Sequence, residues 1–144
     1  MVNQFFFSNN KNEFYSVEAK TGVTNWINEI NSNLTPILIG NLIFTVSNDG
    51  YLYVVEKKNG NIIRINDLYV NYKSKKRKNI NPTGFAVGNS KLFLTNTDGM
   101  MIIVDLSFGN IAGIEKVAAS FTSRPFIYNQ NLFVIKNGSI IQYN

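Results

Sequence analysis

The sequence predicts an all-β fold, a partial β-propeller of about three and a half four-stranded antiparallel blades, and three observations lead there. Pro36, Pro82 and Pro125 open similar segments at spacings of 46 and 43 residues. The hairpin turns Asn48-Asp49-Gly50, Thr97-Asp98-Gly99 and Lys136-Asn137-Gly138 fall at matching places after those prolines. A further turn glycine, Gly22, Gly60 or Gly109, follows in each of the first three units. Units of about 40 residues holding several short strands each are the pattern of propeller blades.

Each unit justifies its strands in turn. The apolar runs are short, rich in Ile, Val, Phe and Tyr, and broken by Gly, Asn or Asp before a helical period can establish itself. No segment reads as an amphipathic helix. The Asp-Gly and Asn-Gly pairs supply the positive φ of tight type I′ turns. Blade units are expected at about 3–31, 34–70, 81–118 and 123–144, in one propeller fragment spanning 1–144, with a basic connection at 71–80. The first unit lacks its first strand, the second and third have four, and the fourth stops after its third. The run Phe5-Phe6-Phe7 therefore lies where a strand is missing, and its edge is open to the last unit of a partner chain. Ile37-Leu38-Ile39 and the run from Met100 to Val104 are expected to be buried on both faces between blades.

Closed propellers usually need about four to eight blades. The chain is thus expected to be a piece of a larger ring, and to form a homodimer that rebuilds a ring of about eight blades.

Composition narrows the function. The chain has neither Cys nor His, which removes thiolate nucleophiles, Cys-ligated zinc and the usual general base. No apolar run approaches the roughly 18 residues needed to cross a bilayer. The start, MVNQFFFSNN, has no basic n-region and no small-residue cleavage site. The net charge of +5 comes from one segment, since without Lys73, Lys75, Lys76, Arg77 and Lys78 nine basic residues face nine acidic ones. These five, with Tyr69 and Tyr72 beside them, are the candidate partner-contact residues, suited to an acidic protein surface or anionic lipid headgroups. Nucleic acid is not expected, because the repeated aromatic platform of single-strand binders is missing.

The carboxylates carry no catalytic pattern. Asp49 and Asp98 recur at equivalent hairpins, and Glu56 and Asp105 follow equivalent strands, so repeated structure explains them. Asp67, Glu13, Glu18, Glu29 and Glu115 show no spacing that pairs them for acid–base work. No metal ligand set and no cofactor site is expected.

The stretch VEAKTGVTNW at residues 17–26 resembles the repeat of PQQ-like β-propellers, in which Ala-x-x-x-Gly is followed by Trp four residues on. Gly22 turns the chain there and Trp26 packs against the neighbouring blade. Arg64 holds the tryptophan position of the second unit and Gly113 that of the third. The structural blade motif thus comprises Gly22, Trp26, Asp49, Gly50, Gly60, Asp98, Gly99, Gly109 and Gly138. The degenerate later units, and a closing strand at 138–144, are similar to the C-terminal half of BamB-type outer-membrane assembly lipoproteins. That resemblance implies a non-catalytic scaffold in the periplasm, at the inner face of the outer membrane, bound to the barrel-assembly machinery and touching the membrane only peripherally. Two alternatives stand beside it: a fragment of a PQQ- and calcium-dependent quinoprotein dehydrogenase, and a ligand-sensing propeller.

Overall fold

A computed structural model describes residues 3–9, 11–120 and 122–143. Residues 1, 2, 10, 121 and 144 lie outside it, among them Asn144, the last residue of the predicted closing strand. The described residues form four antiparallel sheets and one helical turn. The first sheet holds β1 (Gln4–Ser8), β2 (Glu13–Glu18) and β3 (Thr24–Glu29). The second holds β4 (Ile37–Ile39), β5 (Leu42–Val46), β6 (Tyr51–Glu56) and β7 (Ile62–Asp67). The third holds β8 (Pro82–Gly88), β9 (Lys91–Asn96), β10 (Met100–Asp105) and β11 (Ile111–Lys116). The fourth holds β12 (Phe126–Tyr128), β13 (Asn131–Lys136) and β14 (Ser139–Tyr143). Strands follow chain order within every sheet, as short turns between antiparallel neighbours require. The distribution of three, four, four and three strands is the one read from the sequence. The helical turn α1 (Ser74–Arg77) was not expected.

Backbone geometry repeats with the sequence. β2, β6 and β10 each carry a bulge against the next strand, between Ser16 and Val17, Val54 and Val55, and Ile103 and Val104. Beyond each bulge a five-residue turn closes in the same way. The N–H groups of Gly22, Gly60 and Gly109 donate to the carbonyls of Glu18, Glu56 and Asp105 at 2.9, 2.9 and 2.8 Å. The main chain of these three residues builds the turn, and the Asp105 carboxylate also accepts from the Ser107 N–H at 2.8 Å.

The hairpin turns are less uniform than predicted. Only Asn137 and Gly138 both have positive φ, 51° and 76°, as a two-residue type I′ turn demands. At the other two hairpins Gly50 and Gly99 alone turn left-handed, in loops one residue longer. The Gly50 N–H reaches the Ser47 carbonyl at 3.0 Å, and the Ser47 N–H reaches Tyr51 at 2.9 Å. Asp49 and Asp98 thus stay right-handed, and the predicted type I′ geometry is wrong for both. Two turns without glycine, Asn89-Ser90 and Asn129-Gln130, have both φ values positive instead.

The chain divides into two compact units, Met1–Asp67 and Leu68–Asn144. In the first, the core between the two sheets gathers Phe14, Trp26, Ile30, Ile43 and Val55, with Phe6 and Tyr53 against them. Trp26 sits at its centre. Its ring lies 5.7 Å from Phe14 and 6.0 Å from Phe6, centroid to centroid. Its Nε1–H donates to the Lys57 carbonyl at 3.0 Å, so the one polar atom of the indole is satisfied. Gly60 lies flat against the ring. A Cβ there would stand 2.6 Å from Trp26 Cδ2, and the backbone φ is +76°. Both the close approach and the conformation demand glycine. The Asn28 amide then donates to the Gly60 carbonyl at 2.8 Å, fixing the turn over the indole.

In the second unit Met101, Val117 and Leu132 form the corresponding core, with Phe93, Ile103, Ile127 and Tyr143 packed on it. A buried Thr95 hydroxyl lies 3.2 Å from the Gly84 carbonyl and 2.9 Å from that of Ser123, linking β9 to the segment entering β12. The expectation of burial on both faces holds for Met101, Ile102 and Val104 but not for the other runs. Phe5 and Phe7 are 62% and 44% exposed, and Leu38 and Ile39 are also exposed.

Gly60→Ala combines a left-handed backbone with overpacking, and is expected to destabilise by roughly 2–4 kcal/mol. Trp26→Ala should cost about 3–5 kcal/mol by leaving a cavity. Urea unfolding followed by far-UV circular dichroism measures both; a Gly60→Ala loss below that of an exposed-turn control such as Gly22→Ala would refute the interlock.

Candidate protein-interaction surface

Residues 69–78 leave the end of β7 and enter the connection before β8. The first of them is not a surface residue. Tyr69 is fully buried, and its hydroxyl donates to Asn96 Oδ1 at 2.6 Å. Tyr69 therefore anchors the connection and offers nothing to a partner, contrary to the reading of it as a contact residue. The Tyr72 ring stands edge-on to it at 5.4 Å and 78°. Burial, and then the charge of the Asp98 carboxylate, push the Tyr72 hydroxyl up to about 12.

The charges that follow are held by the same anchor. Lys76 Nζ lies 3.1 Å from Asp98 Oδ2 and 4.9 Å from the centre of the Tyr72 ring. One ammonium thus serves an ion pair and a cation–π contact at once. The Arg77 N–H donates to the Lys73 carbonyl at 2.9 Å, and the Asn79 side-chain amide to Lys75 O at 3.0 Å. These bonds close the α1 turn although it has no acidic residue in its first turn and no side-chain cap. Ile80, buried, ends the segment. Lys73, Lys75 and Lys78 remain exposed, while Arg77 is half-buried. The basic segment is a pinned helical turn presenting lysines.

Asp98 thereby gains a role that the turn reading missed. Besides accepting from the Met100 N–H at 3.1 Å in its hairpin, it receives Lys76. Asn96 was missed too, since nothing in its sequence position announces a buried partner for a tyrosine 27 residues earlier. The remaining motif residues are structural. Gly22 and Gly138 turn the chain in open space, while a Cβ on Gly99 would run into the main chain at Ala118 and Ser120. The Gly109 amide closes its turn, and Asp49 accepts from the Ser47 hydroxyl at 2.6 Å.

Two sheet faces outside this segment are exposed and apolar. On the first sheet Phe5, Phe7 and Ile27 are exposed, with Phe7 stacked on Tyr15 at 5.3 Å and 13°. Glu13 braces that face, accepting from Tyr15 Oη at 2.6 Å and Asn9 Nδ2 at 2.7 Å, and these bonds hold its carboxyl below the usual range. On the fourth sheet Phe126, Ile135 and Ile140 are exposed, with Phe126 stacked on Phe133 at 5.1 Å and 14°. β1 and β14 are edge strands of these two sheets. Among the described residues no three acidic side chains converge as a metal site.

Residues 1–66 match the family model described as outer membrane protein assembly factor BamB. Over those residues the chain is similar to PQQ-like β-propeller repeats. Its propeller fold extends beyond the matched residues. The crystal structure of BamB from Moraxella catarrhalis superposes with a TM-score of 0.74 over 99% of this chain and 40% of that one, at 14% identity. The computationally designed Ika4 protein superposes with a TM-score of 0.73, covering 99% of this chain and 86% of that one, at 12% identity. A europium-containing methanol dehydrogenase gives a TM-score of 0.63 over 82% of this chain and 25% of that one, at 14% identity. No curated protein matches by sequence. At these identities the structural likenesses define the fold, a partial propeller spanning 40% of the Moraxella BamB chain.

Lys76→Ala is expected to destabilise the propeller chain by about 0.5–1 kcal/mol, given the half-exposed ammonium. A pKa of about 12 for Tyr72 lies above the ordinary tyrosine value near 10. Its phenol form is thus favoured by folding, so this stabilisation is complete below pH 10 and lost as pH rises through about 12. In an absorbance titration at alkaline pH, Tyr72→Phe should remove a late-ionising tyrosine; loss of an ordinary one instead would contradict the placement.

Proposed function

We propose that this chain acts as a non-catalytic protein-binding scaffold, in the manner of BamB, on outer-membrane β-barrel assembly in the periplasm. The observation that supports this reading most is the pair of exposed apolar faces, Phe5, Phe7 and Ile27 on one sheet and Phe126, Ile135 and Ile140 on another. Contiguous apolar surface on a folded protein marks contact with another macromolecule. In a closed propeller such a face is covered by the next blade. The partner at these faces is a second copy of the chain, whose fourth sheet meets the first sheet and closes a ring. The family match over 1–66 supports the assembly role, because BamB is described as an assembly factor of outer-membrane proteins. The exposed Lys73, Lys75 and Lys78 then form a basic contact for an acidic surface of that machinery or for anionic headgroups.

Three measurements test this. Sedimentation equilibrium at micromolar concentration should give a dimer for the chain and at least a tenfold weaker one for Ile27→Glu combined with Ile140→Glu. A monomer throughout would remove the ring-closing partner. Cross-linking in a Gram-negative envelope should recover outer-membrane assembly proteins with the chain, and their consistent absence would reject the assembly role. PQQ with calcium should leave the melting temperature unchanged; saturable stabilisation would support a quinoprotein fragment instead.

A further inference from the structure

The two compact units differ sharply in charge. Leu68–Asn144 holds nine of the 14 basic residues and three of the nine acidic ones. Of those three, Asp98 is paired with Lys76, and Asp105 lies at the far end of β10. The third, Glu115, is exposed beside Lys116.

The cations collect at the end of the unit that carries the hairpin 97–99. Besides the Lys76–Asp98 pair, two bonds tie the basic connection there. The Thr97 N–H donates to the Asn81 carbonyl at 2.9 Å, and the Asn81 N–H to Thr97 Oγ1 at 3.0 Å. A second connection, from β11 to β12, crosses the same hairpin. Lys116 pairs with Met100 at the end of the ladder, and the Val117 and Ala118 N–H groups both donate to the Gly99 carbonyl, at 2.9 and 3.1 Å. Thr122 Oγ1 then donates to the Asn96 carbonyl at 3.0 Å, two residues before Arg124. The Arg124 stem lies on the bare backbone of Gly84, where a Cβ would stand 2.5 Å from Arg124 Cβ. Lys73, Lys75, Lys78, Lys116 and Arg124 are all exposed. Two fixed connections, both internal to the chain, thus present five cations at one end.

Their chemistry selects the partner. Four of the five are lysines, compact charges on flexible stems without the planar fork that fits a fixed carboxylate. Charges of this kind, coming from separate segments, suit an anionic surface whose groups move laterally to meet them. Val70, 63% exposed in the basic connection, adds an apolar side chain suited to the boundary between headgroups and acyl chains. Base stacking is not on offer, since Tyr69 is buried and Lys76 covers the Tyr72 ring.

We infer that this end of the second unit is a docking surface for an anionic phospholipid bilayer, met by Lys73, Lys75, Lys78, Lys116 and Arg124 together. The inference rests on the reading of the basic turn as a contact, chooses the bilayer for it and widens it to a second connection. The barrel-assembly partner is a separate claim.

The test is co-sedimentation of the full chain with vesicles of equimolar phosphatidylglycerol and phosphatidylcholine, against vesicles of phosphatidylcholine alone. Binding should require the anionic lipid and weaken as salt screens it. Each cation near the surface is worth roughly fivefold in partitioning. Lys73→Gln, Lys75→Gln and Lys78→Gln combined should therefore lower it roughly a hundredfold, and Lys116→Gln with Arg124→Gln roughly twentyfold. Lys20→Gln with Lys58→Gln, exposed lysines of the first unit, should change nothing. Equal binding to neutral vesicles, full binding by either second-unit variant, or an equal loss from the first-unit control would each overturn the surface. Preference for polyglutamate over anionic vesicles at equal charge concentration would assign the cations to an acidic protein and overturn it too. The vesicle comparison uses the unaltered chain, so it decides the matter even where a variant misfolds. Absence of vesicle binding with persistent cross-linking to assembly proteins would refute this inference alone, and the reverse pattern would refute the assembly role alone.

Discussion

The contact of the Trp26 indole with the bare backbone of Gly60 is the constraint around which the first unit is organised. Two twisted sheets pack well only when large side chains on one meet small positions on the other. Here the largest side chain in the chain meets the smallest, at a distance no other residue could tolerate. The same glycine is required again by its left-handed turn, so one position satisfies a conformational and a packing demand together. The indole N–H bond to Lys57 and the Asn28 bond to Gly60 prevent the ring and the turn from sliding apart. Directionless apolar burial becomes a fixed sheet-to-sheet register.

The second unit meets the same requirement without a tryptophan. Its core relies on Met101, Leu132 and Phe93, and sequence repetition maintains strand pairing even where the packing partner is lost. Sheet formation and sheet docking are thus separable. Ladder hydrogen bonds, bulges and turns repeat with the backbone pattern, whereas the contents of each inter-sheet layer are free to diverge. Buried polar groups take over part of the fixing: Thr95 ties β9 to the chain entering β12, and Tyr69 ties the long connection to Asn96. Such buried hydrogen bonds are costly to leave unmade, which makes them registers as well as bonds.

Most of this architecture was legible in the sequence because it depends on local periodicities. Strand count and order, the turn glycines and the recurring acidic residues follow from chemistry within a few positions of one another. Turn type was less legible, since an Asp-Gly pair suits both a two-residue type I′ loop and a longer loop in which glycine alone is left-handed. Counting one more loop residue separates Asp49 and Asp98 from Asn137 only once the strand register is known. Asn89-Ser90 and Asn129-Gln130 adopt left-handed turns with no glycine to announce them. The fate of Tyr69 was hidden for a different reason: its partner is Asn96, beyond any sequence period. A tyrosine before a run of lysines reads as surface until the buried acceptor is found.

The basic segment shows how such a hidden anchor alters an electrostatic reading. Five closely spaced cations repel one another, and by charge alone the segment should extend into solvent. A single buried aromatic pair reverses that outcome. Tyr69 and Tyr72 hold the chain down, Asp98 neutralises Lys76, and the Tyr72 face accepts the same ammonium. With one charge compensated and the backbone closed into α1, Lys73, Lys75 and Lys78 are presented from a fixed base. Lysines on a preorganised turn lose less conformational freedom when they meet a partner than lysines on a loose chain. The excess charge that composition places in one segment thus becomes a small, positioned feature of one surface.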